Sequence, residues 1–541
     1  MSIHEKLTGL FPAESEIPAQ YALTGEIHQR EYLVNGEMIE WKGAMQNVYS
    51  PVAIKTEKGL ERKLIGSYPV AGSVEALEAL DYAVAAYDKG RGEWPTKSVA
   101  ERIACVELFT KRMIEKKEEV VKLIMWEIGK SIADSTKEFD RTVEYIRDTI
   151  ESLKKLDRLS SRFEIEQGIA AHVRRAPLGV VLVMGPYNYP LNETFATLIP
   201  ALIMGNTVLI KTPRFGALLH YPLLAAFKDS FPKGVVNSVY GKGSEIVPAL
   251  MKTGKIDVLS LIGSSRVASD LKKMHPKTNR LRAVLGLDAK NAAIVTANAD
   301  IKQAVQEVAL GALSFNGQRC TALKIIYVHK SIADNFIEEL SDVVSKLKYG
   351  MPWESGVNIT PLPDPAKPGY IQECIFDAEK HGAKVMNENG GAFSESLVFP
   401  AIVYPVNDKM KLYREEQFGP IIPVVPFENF SEAIDYIVES DYGQQASIFS
   451  NDKEEVSLLI DELVNQVSRI NINSQCQRGP DTFPFTGRKD SAEGTLSVTD
   501  ALRAFSIRTL VATKLTDTNT KLLNDIVHSH SSGFLSTNYL F

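Results

Sequence analysis

The stretch GVVLVMGPYNYPLNETFATLIPALIMGNTVLIKTP, residues 179–213, decides the fold class. Two short apolar runs, GVVLVM and TVLIK, flank the segment NETFATLIPALI, whose length and composition indicate a helix. Strands that are this short and this apolar are typical of parallel sheets that are covered on both faces. The stretch is therefore predicted to form a strand, a helix and a second, parallel strand.

The same rhythm continues along the chain. Further strands are predicted in GVVNSVYG (234–241), DVLSLIGS (257–264) and LRAVLGL (281–287), with helical segments between them. A second α/β series begins near Asp300 and includes the strand KIIYVH (324–329). Alternation of this kind favours a doubly wound parallel sheet. We predict an α/β protein with two modules, a Rossmann-like cofactor domain and an α/β catalytic domain, with a cleft between them.

Composition excludes several classes of function. The net charge of −6 and the pI near 6.0 give no reason to expect a nucleic-acid partner. The longest apolar runs are too short to span a membrane, and the N-terminus has no signal-peptide pattern. Four cysteines without a CxxC pair fit a reducing compartment, so a cytoplasmic location is expected, and no metal is expected at the site.

One cysteine stands in a setting that suits a nucleophile. Cys320 lies in SFNGQRCTALK (314–324), after a predicted helix and an Asn-Gly turn. This places the thiol on a loop, and the neighbouring cation of Arg319 favours thiolate over thiol. The residues alone leave open the alternative of an unreactive buried cysteine.

Five motifs in one order carry a family resemblance. They are the opening stretch, SLIGSSRVASDL (260–271), FNGQRCTALK (315–324), EEQFGPIIPV (415–424) and INSQCQRGPDTFPFTGRKDS (472–491). Together they resemble the aldehyde dehydrogenase superfamily over roughly residues 45–514. YNYP, GQRCTA and QRGPDTFPF are similar to its non-phosphorylating glyceraldehyde-3-phosphate dehydrogenase branch in particular.

The resemblance implies a covalent mechanism. Cys320 would attack an aldehyde to form a thiohemiacetal, a hydride would pass to nicotinamide, and water would hydrolyse the thioester. Asn188, in YNYP, matches the asparagine whose amide stabilises the oxyanion together with the backbone N–H of the cysteine. Such a donor is worth about 2.7–4 kcal/mol in comparable sites.

Cofactor residues follow partly from the residues and partly from the resemblance. Gly263 and Ser264 come after an apolar strand and open a helix, the setting in which N-terminal amides bind a phosphate. By resemblance, Lys211 contacts the adenosine ribose, Glu416 the nicotinamide ribose, and Phe418 packs near the nicotinamide ring.

Arg214, in VLIKTPR, bears on the choice of cofactor. An acidic residue after this strand accepts from the 2′-hydroxyl of NAD, whereas a guanidinium suits the 2′-phosphate of NADP. We expect NADP, with NAD as the alternative.

A phosphorylated substrate is expected from a set of arginines. Arg141, Arg319 and Arg478 match positions that the resemblance associates with the glyceraldehyde-3-phosphate pocket, and Tyr189 adds a hydroxyl. The arginine fork matches phosphate oxygens in geometry and charge.

The usual base is missing from VLGLDAKN (284–291). Gly286 stands where most of the family has a glutamate, and Asp288 follows two residues later. If the segment is a strand, both residues face the same side about 6–7 Å apart, so Asp288 could take over. A second possibility is that coenzyme A resolves the thioester, as in acylating relatives that also lack the glutamate. The third is a catalytically impaired cofactor-binding pseudoenzyme.

The predicted function is NADP-dependent oxidation of glyceraldehyde 3-phosphate, or a similar small aldehyde, to the acid. The resemblance also implies a homodimer or homotetramer formed through a small β arm. The expected division of the chain is an N-terminal extension (1–45), a cofactor domain (46–160 and 178–290), an oligomerisation arm (161–177 and 505–514), a catalytic domain (291–504) and a C-terminal tail (515–541).

Overall fold

The structure is a computed structural model that describes residues 3–539. The strand Val180–Met184 lies inside a six-stranded sheet, called here the first sheet. From one edge to the other its strands are Val236–Val239, Thr207–Lys211, Val180–Met184, Val258–Ile262, Arg282–Gly286 and Ala492–Glu493. The first five are parallel and the last is antiparallel. The five strands predicted from the sequence are all present, and the predicted doubly wound fold is confirmed.

Helices connect the parallel strands of the first sheet. They are Asn192–Ile203, Tyr221–Ser230, Gly243–Lys252 and Ser265–Met274. Every residue of Asn192–Ile203 is buried, so this helix is packed on all its faces. Ser73–Tyr87 packs on the strands Thr207–Lys211 and Val236–Val239.

The helical region before the first sheet contains four long helices. They are Ser73–Tyr87, Val99–Glu115, Lys117–Ile128 and Ile132–Leu159. The helical spacing of apolar residues in the sequence continues across Lys116. The helix nevertheless ends there, because Lys116 has φ −100° and ψ 7°. Glycine at 129 then ends the next helix in the left-handed conformation.

A seven-stranded second sheet forms the other module. Its strands, in order, are Lys384–Val385, Ala401–Tyr404, Ile421–Phe427, Leu323–His329, Asn291–Val295, Gln445–Phe449 and Arg469–Ile472. All are parallel except the first. The covering helices are Ile301–Leu313, Ala333–Ser345, Lys367–Lys380, Phe430–Glu439 and Lys453–Leu463. Residues 492–504 return to the first module, because Glu493 and Ala492 pair with Leu285 and Gly286.

A three-stranded arm projects from the molecule where the sequence predicts it. The arm comprises Phe163–Glu166, Ile169–Pro177 and Ser506–Lys514, with Ser506 opposite Pro177 and Lys514 opposite Ile169. The tail then forms the helix Asp517–His528.

The end of the tail is anchored to the base of the arm. Leu535 and Ser536 are buried, and the Arg174 guanidinium donates to the carbonyls of Phe534, at 2.6 Å, and Ser536. Arg174 also pairs with the buried carboxylate of Asp157.

The N-terminal residues are tied to the first module. Met45–Thr56 and Gly59–Pro69 form a hairpin that Ile27–His28 joins, and Glu31–Val34 pairs with Glu37–Glu40. The backbone N–H of Leu33 donates to Ser238 Oγ at 2.8 Å. Further short elements are Ile3–Gly9, Glu93–Thr96, Lys411–Arg414, Val498–Ala504, Phe393–Ser394, Leu397–Val398, Tyr442–Gly443 and Arg488–Lys489. Within residues 3–539, no helix is both long enough and apolar enough to cross a membrane.

Candidate active site

A cavity of about 760 Å³ opens between the two modules. It lies at the carboxyl ends of parallel strands, where open α/β sheets bind ligands. It brings together most of the residues singled out in the sequence, namely Arg141, Asn188, Tyr189, Gly263, Ser264, Asp288, Arg319, Cys320, Glu416, Phe418 and Arg478. Lys211 and Arg214 do not line it.

The loop that carries Cys320 is held by a run of left-handed residues. Phe315 and Asn316 have φ of 50° and 55°, and Gly317 has φ +71°. A Cβ atom on Gly317 would lie 2.5 Å from the carbonyl oxygen of Gly419, so only glycine fits. This tight turn reverses the chain after the helix Ile301–Leu313 and leaves the thiol half-buried at the cavity wall.

Cations surround the thiol. Burial raises the pKa of Cys320 above its ordinary value of 9.0, while the charges of Lys324 and Arg319 act in the opposite direction. Lys324 Nζ donates to the Cys320 carbonyl at 3.1 Å and pairs with Glu416. Asn291 Nδ2 donates to the same carbonyl at 2.8 Å. The cations therefore partly offset the cost of placing a thiolate in a buried site.

Asn188 is fixed next to the thiol loop. Its Nδ2 donates to the carbonyl of Gln318 at 2.8 Å, and the side chain is buried. An amide nitrogen carries two hydrogens, so one is left for a substrate oxygen. The Asn188 carbonyl accepts from the buried ammonium of Lys130 at 2.7 Å.

Lys130 and Glu138 are positioning residues that the sequence reasoning missed. Lys130 Nζ lies 2.5 Å from Glu138 Oε2, and both side chains are fully buried. Glu138 Oε1 accepts from the backbone N–H groups of Leu191 and Asn192 at 3.0 and 3.2 Å. The pair thereby joins the helix Ile132–Leu159 to the turn that carries Asn188. No local pattern distinguishes these two charges from ordinary surface charges.

The strand that contains Gly286 ends at that residue. The two-residue alternation therefore does not extend to Asp288, although both residues line the cavity. Asp288 Oδ2 accepts from the Ser265 backbone N–H at 2.8 Å and from Ser265 Oγ at 2.9 Å. The carboxylate thus lies at the N-terminus of the helix Ser265–Met274, and no described donor contacts its Oδ1 atom.

Gly286 leaves room that a side chain could fill. A Cβ built there would lie 3.3 Å from Leu496 Cδ1 and 3.5 Å from Ile262 Cγ1. These are flexible methyl and methylene groups, so a shift of a few tenths of an ångström would accommodate a larger residue.

The candidate cofactor residues lie along the carboxyl edge of the first sheet. Ser264 caps the helix Ser265–Met274, its Oγ accepting from the N–H of Val267 at 3.4 Å. Lys211 ends its strand, and burial lowers its pKa to about 8. Arg214 is exposed, its guanidinium lies 5.1 Å from the Phe215 ring, and it forms no ion pair with any residue in 3–539.

Glu127 holds the loop that carries Arg214, another role absent from the sequence reasoning. Its carboxylate accepts from four consecutive backbone N–H groups, those of residues 216–219, at 2.7–3.1 Å. Burial raises its pKa to about 7, against the effect of these hydrogen bonds.

Glu416 and Phe418 complete the side of the cavity that faces the thiol. Burial raises the pKa of Glu416, and the Lys324 ammonium opposes that shift. Phe418 has φ 45° and meets the Tyr187 ring edge-on at 6.0 Å.

Two of the three candidate phosphate-binding arginines are paired with carboxylates. Arg141 donates from Nε and Nη2 to both oxygens of Asp481 at 2.8 and 2.7 Å. Arg478 donates to Glu193, and its Nε lies 3.2 Å from Asp481 Oδ1. Arg319 instead donates to a backbone carbonyl, that of Gly311, at 2.9 Å. The three cations line one cavity, where carboxylates largely cancel the charges of Arg141 and Arg478, whereas Arg319 has no carboxylate partner among the described residues.

Comparison with protein families identifies a match that spans most of the chain. The model of the aldehyde dehydrogenase family matches residues 50–511. The NADP-dependent glyceraldehyde-3-phosphate dehydrogenase of Streptococcus equinus is 32% identical over 495 residues, which are 88% of this chain and 97% of the relative.

Two further relatives extend the comparison. The crystal structure of NADP-dependent glyceraldehyde-3-phosphate dehydrogenase from Bacillus halodurans C-125, complexed with NADP, superposes with a TM-score of 0.82 at 31% identity. The match covers 91% of this chain and 100% of that one. A 3-sulfolactaldehyde dehydrogenase of Priestia aryabhattai is 28% identical over 386 residues, 71% of this chain and 80% of the relative.

Proposed function

Because the chain belongs to the aldehyde dehydrogenase family, we propose that it is an NADP-dependent dehydrogenase that oxidises glyceraldehyde 3-phosphate, or a similar small aldehyde, to the carboxylic acid. The observation that carries this proposal is the half-buried Cys320 thiol on the cavity wall, with Asn188 fixed beside its loop. The names of the Streptococcus and Bacillus relatives support the cofactor and the substrate class.

The proposed covalent step is supported by the position of Cys320 on the cavity wall. Its thiolate attacks the aldehyde carbon, the C–S bond forms, and the carbonyl electron pair moves to oxygen. The free hydrogen of Asn188 Nδ2 donates to this oxyanion, as does the Cys320 backbone N–H. The bound nicotinamide supplies the hydride acceptor that converts the adduct into a thioester.

Residues on the first sheet fit NADP. Arg214 is exposed and unpaired within the described chain, so its guanidinium is available to a 2′-phosphate. Ser264 and the helix it caps offer backbone N–H groups to a diphosphate. We assign 46–160 and 178–290 to cofactor binding and 291–491 to catalysis, since residues 492–504, expected in the catalytic domain, return to the first module.

Deacylation is assigned to Asp288. With Oδ2 held by Ser265, the Oδ1 atom is left to take a proton from water. Water then adds to the thioester carbon, the Cys320 thiolate leaves, and the acid is released. Gly286 lines the same cavity and places no side chain there, so none stands between the water and the thioester.

There are two alternatives to this function: a dehydrogenase that transfers the acyl group to coenzyme A, and a pseudoenzyme. The absence of a carboxylate at 286 and the engagement of Asp288 with Ser265 favour coenzyme A as the second candidate acceptor. A pseudoenzyme is disfavoured, because Cys320, Asn188 and Glu416 all remain at the cavity.

Steady-state assays test the proposal. Purified protein is supplied with NADP and either glyceraldehyde 3-phosphate or glyceraldehyde, without inorganic phosphate or coenzyme A. We expect stoichiometric NADPH and free carboxylic acid with at least one aldehyde, and neither product from Cys320→Ser. No NADPH with either aldehyde would contradict the proposal.

We also propose that the chain forms a homo-oligomer through the arm and acts in the cytoplasm. The support is the strand Ser506–Lys514, which is largely exposed along its length, and four cysteines that all remain free thiols.

A further inference from the structure

An ion-pair network at the far end of the cavity has no part in the proposed reaction. Glu193 and Arg478 line the cavity, and each is only 6% exposed. Arg478 donates from Nη1 to Glu193 Oε2, and Asp481 bridges Arg478 to Arg141. A buried guanidinium (Arg478) and a partly exposed one (Arg141) thus alternate with two carboxylates, so these four groups together carry no net positive charge.

The pairing weakens the end of the cavity as a phosphate site. A phosphate dianion that reached Arg478 would lie beside the carboxylates of Glu193 and Asp481. Repulsion between like charges is strong where water is excluded, and drawing Arg478 to the phosphate would leave a buried carboxylate unpaired. Burial also lowers the pKa of Arg478 to about 10, as expected for a cation with little solvent.

Two unpaired atoms on the helix Asn192–Ile203 suit a hydroxyl better than a phosphate. Glu193 Oε1 has no donor among the described residues, so it is available to accept a hydrogen bond. Asn192 Nδ2 is buried, lines the same cavity and has no acceptor. A hydroxyl both donates and accepts, and it satisfies both atoms, whereas a phosphate dianion has no hydrogen to give to Glu193.

We propose that Glu193 is a specificity-determining residue that shifts the preference of the enzyme from phosphorylated aldehydes to short hydroxyaldehydes with an uncharged distal end. This inference rests on the proposed function, since it ranks the aldehydes which that reaction accepts. Glu193 acts by retaining Arg478 in the ion pair and by accepting from the distal hydroxyl of the substrate.

The first test uses the unmodified protein. The kcat/KM for D-glyceraldehyde is compared with that for D-glyceraldehyde 3-phosphate, with NADP saturating. We expect glyceraldehyde to be used at least as well as its phosphate ester. A clear preference for the phosphate ester overturns the inference, and the absence of NADPH with both aldehydes is a failure of the proposed function instead.

The second test changes the charge alone. Glu193→Gln is expected to raise the ratio of kcat/KM for the phosphate ester to that for glyceraldehyde by about tenfold or more, chiefly through KM for the ester. Asp134→Asn is the matched control, since it removes a carboxylate from the same cavity wall and does not touch Arg478. Its ratio is expected to stay within about twofold of the unmodified value.

Comparison of the two variants distinguishes the loss of the Glu193–Arg478 ion pair from the loss of a negative charge elsewhere on the cavity wall. An unchanged ratio in Glu193→Gln, or equal changes in both variants, overturns the role of Glu193. Circular dichroism and the elution volume of each variant establish that it folds. If Glu193→Gln does not fold, the measurement on the unmodified protein still decides the matter.

Discussion

At the scale of single residues, burial and neighbouring positive charge shift the pKa of the Cys320 thiol in opposite directions. Burial raises its pKa and the charge of Lys324 lowers it, so the cation increases the fraction of thiolate at a given pH. Lys324 acts on two groups of the site, since it also forms an ion pair with Glu416.

The thiol pKa gives a pH dependence. Since the pKa lies above 9.0 in the cofactor-free protein, the rate of alkylation by iodoacetamide should keep rising with pH through pH 9. Lys324→Met removes the cation and should slow alkylation at pH 8, because the pKa rises further. The rate is measured as incorporation of the label by mass spectrometry, with Cys320→Ser reporting labelling of the other cysteines. A rate that levels off below pH 8 would contradict this reading.

Arg214 gives a test of cofactor choice. Arg214→Ala should raise the KM for NADP by about tenfold, since one charge-assisted contact to the 2′-phosphate is lost. The KM for NAD, measured on the same variant, serves as the internal control and should change little. Equal loss for both cofactors would mean that Arg214 shapes the loop and does not read the 2′-phosphate.

The residues that stand in short motifs, such as Asn188, Cys320 and Glu416, could be predicted from the sequence, and the structure gathers them at one cavity. Glu193 could not be predicted, because its partner Arg478 lies 285 positions away and no periodicity links the two. Lys130 and Glu138 were missed for the same reason: their burial depends on how helices pack, which no local pattern encodes.

At the scale of elements, the parallel strands were predictable because each is a short apolar run between turns. Two element ends were not. The helical spacing of apolar residues continues across Lys116, and no residue there indicates a helix end. The strand Arg282–Gly286 stops before Asp288, and the Leu287 N–H donates instead to the Ser491 carbonyl at 2.9 Å. The same-face relation of Gly286 and Asp288 depended on that strand continuing.

Asp481 ties the helix Ile132–Leu159 to the loop that carries Arg478. Burial disfavours its charge, but the hydrogen bonds from Arg141 and the charge of Arg478 outweigh this, so its pKa lies below 3.8. Asp481→Asn should therefore lower the free energy of unfolding by about 3 kcal/mol at pH 7.

The pH dependence of that loss has a definite sign. A lowered carboxyl pKa stabilises the folded state above pH 3.8 and ceases to do so as the pH falls through the folded value. The difference between the unmodified protein and Asp481→Asn, measured by urea unfolding at fixed protein concentration, should shrink below pH 4. A difference that stays constant from pH 7 to pH 3 would assign it to packing.

At the scale of the whole molecule, the arm carries apolar side chains that a single chain leaves exposed. Ile507 and Leu510 on the strand Ser506–Lys514 are 47% and 59% exposed, and Ile165 on Phe163–Glu166 is 62% exposed. Exposed apolar residues on a sheet that projects from the molecule are typical of a protein–protein contact.

Leu510→Glu should therefore yield smaller species than the unmodified protein, because it places a charge at an exposed apolar position of the arm. Light scattering coupled to size-exclusion chromatography measures the mass. Leu522→Glu, at an equally exposed leucine of the tail helix, is the control. A monomeric unmodified protein would contradict the proposed oligomer.

The division into two α/β modules and an arm followed from the sequence, whereas the position of the tail did not. The tail is held by the contacts of Arg174 with the carbonyls of Phe534 and Ser536, and backbone acceptors leave no trace in the sequence. The size of the cavity was equally out of reach, since it depends on how the two sheets are placed.

The central claim is that the chain oxidises an aldehyde through Cys320 and releases the acid with its own base. Stopped-flow recording of NADPH, without coenzyme A and with the better of the two aldehydes, tests it most directly. We expect turnover to continue in the unmodified protein, a burst of one equivalent in Asp288→Asn, and restored turnover in Gly286→Glu/Asp288→Asn. A burst in the unmodified protein that becomes turnover only with coenzyme A would contradict the claim.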